Sequence, residues 1–281
     1  MARRSLSADP MSRLATWALR LAVFAFVAAL LSIVVVRSGL LEIRPAVVTF
    51  LGTLAIAAVA ILLALGSLIG IWNKGLRGLG RGIAAMAIGG ALLAYPAYLG
   101  VYAYRQPWIN DVTTDAADPP RFEALARVRP RDANPVDYPG ATAAAVQTIL
   151  YPDIEPYFAE TTPQAVYDAA LGVINKRRWR VVDDRPPQAG RGDGHIEAVA
   201  RTAIMGFRDD VVLRVRATPG GTRLDVRSAS RYGPLDFGGN ASRVRALLEN
   251  IEEALNVKRP VAPPVKAAPA TAKRSNQADK R

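Results

Sequence analysis

The chain has 281 residues, 36 Lys and Arg against 24 Asp and Glu, one His and no Cys. That length allows one or two domains and a real core. The lack of Cys excludes disulfide scaffolds, thiolate metal sites and Cys nucleophiles, and the single His excludes multi-histidine metal sites. A net charge of +12 invites a nucleic-acid reading, yet it divides into +7 over residues 1–104, −1 over 105–256 and +6 over 257–281. The excess lies on membrane flanks and a tail, where it suits anionic lipid headgroups, so nucleic acid is not expected as a partner.

Three apolar runs open the chain. Residues 14–36 are apolar apart from Arg20, which can snorkel toward headgroups, and a few small polar residues. The sequence after Val36 lacks the small-residue cleavage pattern of a secretory signal, so this run reads as an uncleaved membrane helix. Residues 46–72 carry no charge and are long enough to cross the hydrocarbon core. Residues 83–104 form a third uncharged run, with Pro96 expected to kink it and Tyr95, Tyr98, Tyr102 and Tyr104 gathered toward its end like an interfacial belt. Gly66 and Gly70 have the small-xxx-small spacing of a close helix seam.

Arg3, Arg4 and Arg13 precede the first run, and Lys74, Arg77 and Arg81 separate the second from the third without an acid. The positive-inside bias therefore places the N-terminus and the 73–82 loop in the cytoplasm and residues 105–281 outside it, in the periplasm of a Gram-negative cell. The glycine-rich loop 75–82 follows no strand, so it reads as a flexible basic turn near anionic lipid and not as a phosphate loop.

Residues 105–160, rich in Pro, Asp and Ala, lack sustained periodicity and read as an extended linker with short helical pieces around 141–150. The oxygen-rich stretch from Asn110 to Pro120 lacks the glycine and closing glutamate of an EF-hand loop, so it reads as a series of Asx-turns. Residues 161–256 carry a compact pattern. Thr162 caps a helix beginning at Pro163, with Val166, Ala170, Val173 and Ile174 on its apolar face. A strand follows over 179–182, and another over 195–204 with Ile196, Ala198 and Ala200 on one face. Two further strands flank the turn at Thr218–Gly221; closing it about Pro219–Gly220 sets Val215 opposite Leu224, Leu213 opposite Val226 and Arg214 opposite Asp225. Asn240 then caps a helix with Val244, Leu247, Leu248, Ile251 and Leu255 on one side. The expected fold is α+β: three transmembrane helices, then a small antiparallel sheet with packed helices. The Pro/Ala/Lys-rich tail over 257–281 is expected to be disordered.

One polar cluster exceeds what a scaffold needs: Asp209, Asp210, Arg227, Ser228, Ser230, Arg231, Asp236, Asn240 and Arg243. A strand there enters a glycine-containing loop and then a helix N-terminus, which favours anions, with arginines adding charge-assisted donors. Two readings stand: a pocket for a carboxylate- or phosphate-bearing ligand, or an Arg/Asp network fixing the loop to the sheet, with Asp209 and Asp210 as the partners. Arg227, Arg231 and Asn240 are expected to surround one point near the start of the last helix. Ser228 and Ser230 lack any nucleophile motif, and His195 reads as a surface residue at a strand start with no orienting acid. Asp209 and Asp210, adjacent on a strand, point to opposite faces. No catalytic residue, metal site or cofactor is expected.

The stretches 196–198, 201–202, 206–212 and 225–231, with Asp236, Gly238, Asn240 and Arg243, resemble the bacterial family called domain of unknown function 1499. Asn110–Asp111, Thr113–Asp115, Asp118–Pro120 and 151–154 are similar to its longer members. The resemblance covers about 107–256. It implies no activity, but it implies that the polar cluster belongs to the family pattern. The resulting expectation is a multi-pass inner-membrane protein whose extracytoplasmic module serves as a non-enzymatic binding or accessory protein of the cell envelope. Its expected partners are the bilayer, anionic lipid at the cytoplasmic loop, and a small anionic ligand or an envelope protein. The alternatives are an envelope hydrolase or transferase using acids of the 209–243 cluster, and a structural subunit of a larger membrane complex.

Overall fold

A computed structural model of the chain describes residues 10–39, 43–105, 108–188 and 192–258. Three helices, α1 (Arg13–Ser38), α2 (Ile43–Lys74) and α3 (Leu79–Arg105), are long and apolar enough to span a membrane. Each exceeds its expected range by one to four residues at either end, because polar flanks continue the helical hydrogen bonding. Ser12 caps α1 by accepting from the Ala15 N–H, and Gly39, at φ 73°, ends it in the left-handed conformation that glycine adopts without steric cost. The α3 helix runs on through Pro96.

Alanines rather than Gly66 and Gly70 bring these helices together. Ala15, Ala18, Ala22, Ala25 and Ala29 recur at three- and four-residue spacing on α1 and are buried, as are Ala57, Ala60 and Ala64 on α2. The tightest approach is at Gly89, where a Cβ would stand 2.8 Å from Ile61 Cγ1 and 3.2 Å from the Ala57 carbonyl oxygen; at Gly66 the nearest atom would lie 4.0 Å away. Leu, Val and Phe point outward, the arrangement expected where lipid is the solvent. At one end of the bundle Ser12 N–H donates to the Arg77 carbonyl (2.8 Å) and Arg77 N–H to that of Pro10 (3.1 Å). The opposite end carries the remainder of the protein.

That remainder is α+β. Its elements in chain order are β1 (Asp111–Thr113), α4 (Ala124–Val128), α5 (Ala141–Leu150), β2 (Tyr157–Ala159) and α6 (Pro163–Lys176). Then come β3 (Arg180–Arg185), β4 (Gly194–Arg201), β5 (Arg208–Thr218), β6 (Gly221–Ser230) and α7 (Gly239–Lys258). The antiparallel sheet runs β1-β6-β5-β4-β3, and β2 also pairs with β6. The expected register holds throughout the β5–β6 hairpin: Val215 opposes Leu224, Leu213 opposes Val226, and Arg214 opposes Asp225, to which it donates at 2.9 Å. Helices α6, capped by Thr162 with Pro163 at its first position, and α7 cover one face.

The linker expected over 105–160 is corrected. Strands β1 and β2 take successive positions along the same edge of β6, Asp111–Thr113 against Arg227–Ala229 and Tyr157–Ala159 against Leu224–Thr222. Between them, Phe122 and Leu125 roof a second apolar cluster with Val199, Val212 and Ala229 on the face away from the helices. Three-residue strands are too short to show a period, so the segment looks irregular in sequence although it completes the sheet. Of the expected tail, residues 257 and 258 belong to α7; the remainder lies outside the described residues, as do Arg3 and Arg4.

Candidate functional site

Alternation along β5 and β6 divides the expected polar cluster. Residues 209, 228 and 230 face α7, whereas 210, 227 and 231 face the 114–138 segment. Two sites therefore stand back to back across the sheet, where a single convergence of Arg227, Arg231 and Asn240 was expected. Asp209 and Asp210 are separated in the same way, as strand geometry required.

The helix-side group is closed on itself. Asn240 is not the cap of α7. Asp236 fills that place, its carboxylate accepting from the N–H groups of Gly238 (2.9 Å) and Asn240 (2.7 Å). Freed from capping, the Asn240 amide turns into the sheet, where its oxygen accepts from Ser228 Oγ (2.7 Å) and Arg243 Nη1 (2.6 Å). Its Nδ2 donates to Ser230 Oγ (2.9 Å) and to the Asn110 carbonyl (3.0 Å), so all four of its hydrogen-bonding positions are taken. Arg243 also pairs with Asp209. Burial raises the carboxyl groups of Asp209 and Asp236 above the usual aspartate range, although Arg243 and the local donors pull the other way.

The opposite face holds the arginine group. Arg227 is 2% exposed and lies between Phe122 and Tyr138, its Cζ 4.7 Å and 5.6 Å from their ring centroids. Its Nε and Nη2 grip Asp111, at 2.9 Å and 2.6 Å. Nη2 also donates to the Val136 carbonyl (2.8 Å) and Nη1 to that of Pro120 (3.1 Å). Asp210 receives Arg129 (2.6 Å) on one oxygen and Arg231 (2.7 Å) on the other. Three buried guanidinium groups thus meet two carboxylates. Burial raises Asp111 despite its contact with Arg227, which weakens the negative side further. The Nη2 of Arg129 is buried with no acceptor among the described residues.

A cavity of about 390 Å³ opens beside this group, and its walls are Pro119, Arg121, Phe122, Val136, Asp137, Tyr138 and Arg227. Arg121 is exposed at the mouth and makes no ion pair among the described residues. The pKa of the Tyr138 hydroxyl is pushed up to about 12 by burial and then by Asp111, so at neutral pH it keeps its proton, which it donates to Gln147 Oε1 (3.5 Å).

The residues matched to the family model described as Protein of unknown function (DUF1499) run from 111 to 251, half of the chain. This chain belongs to the DUF1499 family. The match begins at Asp111, the partner of Arg227, so the family pattern contains both faces of the sheet. A search of curated proteins found no match. Among solved structures, the crystal structure of CalU16 from Micromonospora echinospora is 14% identical, covers 36% of this chain and 82% of that one, and superposes with a TM-score of 0.20, too low to bear on fold or function.

Several site residues of this DUF1499 member had no sequence signal of a partnership with Arg227. Asp111, Phe122, Arg129 and Tyr138 lie about a hundred residues from Arg227 in sequence and reach it only through the irregular segment. His195 did carry one. It shares a strand face with Glu197, two residues on, and its Nε2 lies 2.8 Å from the Glu197 carboxylate. The expectation of a surface histidine without an acid is thereby corrected: its side chain is 12% exposed. Glu197 also accepts from the N–H groups of Glu123 (2.6 Å), Ala124 (3.1 Å) and Leu125 (2.6 Å). Burial acts to raise Glu197, but the His195 contact and these three donors outweigh it and leave the carboxyl below its ordinary value. Asp183, His195 and Glu197 bring ligand atoms within 4.8 Å of one another, but Arg185 Nε donates to Asp183 at 2.9 Å. The donor set is spent on protein hydrogen bonds and does not fit a cation.

Proposed function

We propose that this DUF1499 protein is a membrane-anchored, non-enzymatic binding module that holds a small anion-bearing ligand in the Arg227 cavity. The observation that carries the reading is the buried excess of guanidinium over carboxylate beneath that cavity. Arg227 forms part of its wall, and Nη1, with two hydrogens and one acceptor among the described residues, keeps a donor for a ligand. Arg121 at the mouth supplies further donors, and Phe122, Pro119 and Val136 supply apolar walls. The positive-inside bias supports an N-terminus in the cytoplasm and a module outside the plasma membrane. An acid/base chemistry within 209–243 finds little support, because Asp209 and Asp210 lie on opposite faces and each is bound by arginine.

The test uses the full chain in a neutral maltoside detergent, with inorganic phosphate, citrate and benzoate as probes and thermal melting as the readout. At least one probe should raise the melting temperature of the wild type and fail to do so for Arg121→Gln, whose own melting should be unchanged. No shift with any probe, or the same shift in Arg121→Gln, would refute the reading.

A further inference from the structure

The antiparallel sheet places the start of β3, the end of β4 and the start of β5 at one end, and that end faces α1. The Arg37 guanidinium, in the last turn of α1, donates to the carbonyls of Ala203 and Ile204 (3.0 Å for Ile204) in the β4–β5 turn, and Arg201 donates back to the Arg37 carbonyl (3.2 Å). Arg208 stands against the same junction: a Cβ built on Gly39 would lie 2.6 Å from its Nη2. Arg180 and Arg201 are exposed here and Arg208 is half-buried.

Counter-charge is scarce at this end. Among the described residues none of Arg37, Arg180, Arg201 and Arg208 forms an ion pair with a carboxylate; the nearby Asp132 is taken by Arg44 at the start of α2. Partial burial, and then the guanidinium groups of Arg201, Arg231 and Arg180, push Arg208 below the ordinary arginine value, as expected where cations crowd without a partner. Two apolar features share the level. Ile204, at the tip of the turn, is 48% exposed, and Trp108, just beyond α3, is 78% exposed. Exposed arginines beside an exposed aliphatic tip and a tryptophan, at the height where membrane helices end, is the composition of a headgroup-level surface.

We propose that the α1-facing end of the sheet, Arg180, Arg201 and Arg208 together with Arg37, is a docking site for the phosphate of an anionic phospholipid in the leaflet that α1 reaches at Ser38. Guanidinium groups bind phosphate in two-pronged fashion, and a surface rich in unpaired arginine at the mouth of a helix bundle meets phosphate before any other anion. The site lies at the opposite end of the bundle from the 73–82 loop and is distinct from the Arg227 cavity. It rests on the membrane reading of the three helices.

The test is native mass spectrometry of the full chain in maltoside detergent, titrated with phosphatidylglycerol and, separately, with an uncharged galactolipid. Phosphatidylglycerol should be retained in preference to the galactolipid, and the preference should weaken with salt. Arg201→Gln/Arg208→Gln should lower phosphatidylglycerol affinity by about tenfold or more, as expected for lost charge-assisted bonds, and Arg201→Lys/Arg208→Lys should restore part of it. Equal retention of both lipids by the wild type would overturn the proposal without any variant. So would a glutamine variant that binds like the wild type, or inorganic phosphate competing at lipid concentrations. Vesicle flotation after an alkaline wash separates the two levels. Failure to float removes the membrane reading itself, whereas flotation without lipid preference removes only the docking site.

Discussion

Replacing Arg227 by alanine tests the arginine face most directly. The change leaves the Asp111 carboxylate, 3% exposed as a residue, without its cation, and removes the donors to the Pro120 and Val136 carbonyls. It also empties the gap between Phe122 and Tyr138. Breaking one side of a buried ion pair costs about 3–5 kcal/mol, mostly through the stranded charge. For a folded unit of this size that corresponds to roughly 10 °C or more in melting temperature. The loss should depend on pH with a definite sign. Burial already raises Asp111 above 3.8 in the folded state, so its contribution to stability falls as pH rises through the folded value; removing Arg227 raises that value further. The deficit of Arg227→Ala should therefore be largest at neutral pH and shrink as pH falls toward 3.8. Arg227→Leu/Asp111→Leu should lose less than the single variant, because no charge is stranded. The assay is urea unfolding followed by near-ultraviolet circular dichroism. An Arg227→Ala protein within about 0.5 kcal/mol of wild type at neutral pH would refute the account, since surface positions behave that way and buried networks do not.

Four further outcomes can be measured. Residues 108–258 produced without the helices should unfold in one cooperative transition, because the sheet and the cover of both its faces lie within them; an unstructured spectrum would mean that α1 is required. Glu197→Gln should cost about 1–3 kcal/mol at neutral pH. Because the folded Glu197 lies below its ordinary 4.5, its contribution is present above that value and lost as pH falls through the folded one, so the variant's acid unfolding limb should be flatter in pH-dependent urea melts. Gly221→Ala would place a Cβ 2.2 Å from the Ala159 carbonyl oxygen, so β2 must separate from β6, and calorimetry should find a loss of about 1–3 kcal/mol. Alkaline phosphatase fused after residue 78 should be inactive and after residue 256 active; the reverse pattern would invert the orientation drawn from Arg77 and Arg81.

What could be read from sequence was whatever repeats at short range. Three apolar runs, two of them without a charge, marked the helices, because a bilayer-length helix must be apolar over consecutive residues. The β5–β6 register was legible because Leu213, Val215, Leu224 and Val226 alternate about a turn signal, with Arg214 and Asp225 agreeing. Alternation also foretold that Asp209 and Asp210 would part. Tertiary structure alone decided the rest. It threaded residues 111–159 along the far edge of β6, a pairing of three residues at a time that leaves no period. It gave the cap of α7 to Asp236, four residues before Asn240, because the left-handed turn at Phe237 and Gly238 brings that carboxylate over the helix start. And it brought Asp111 to Arg227 across 116 residues, since a buried guanidinium must find a carboxylate wherever the fold supplies one.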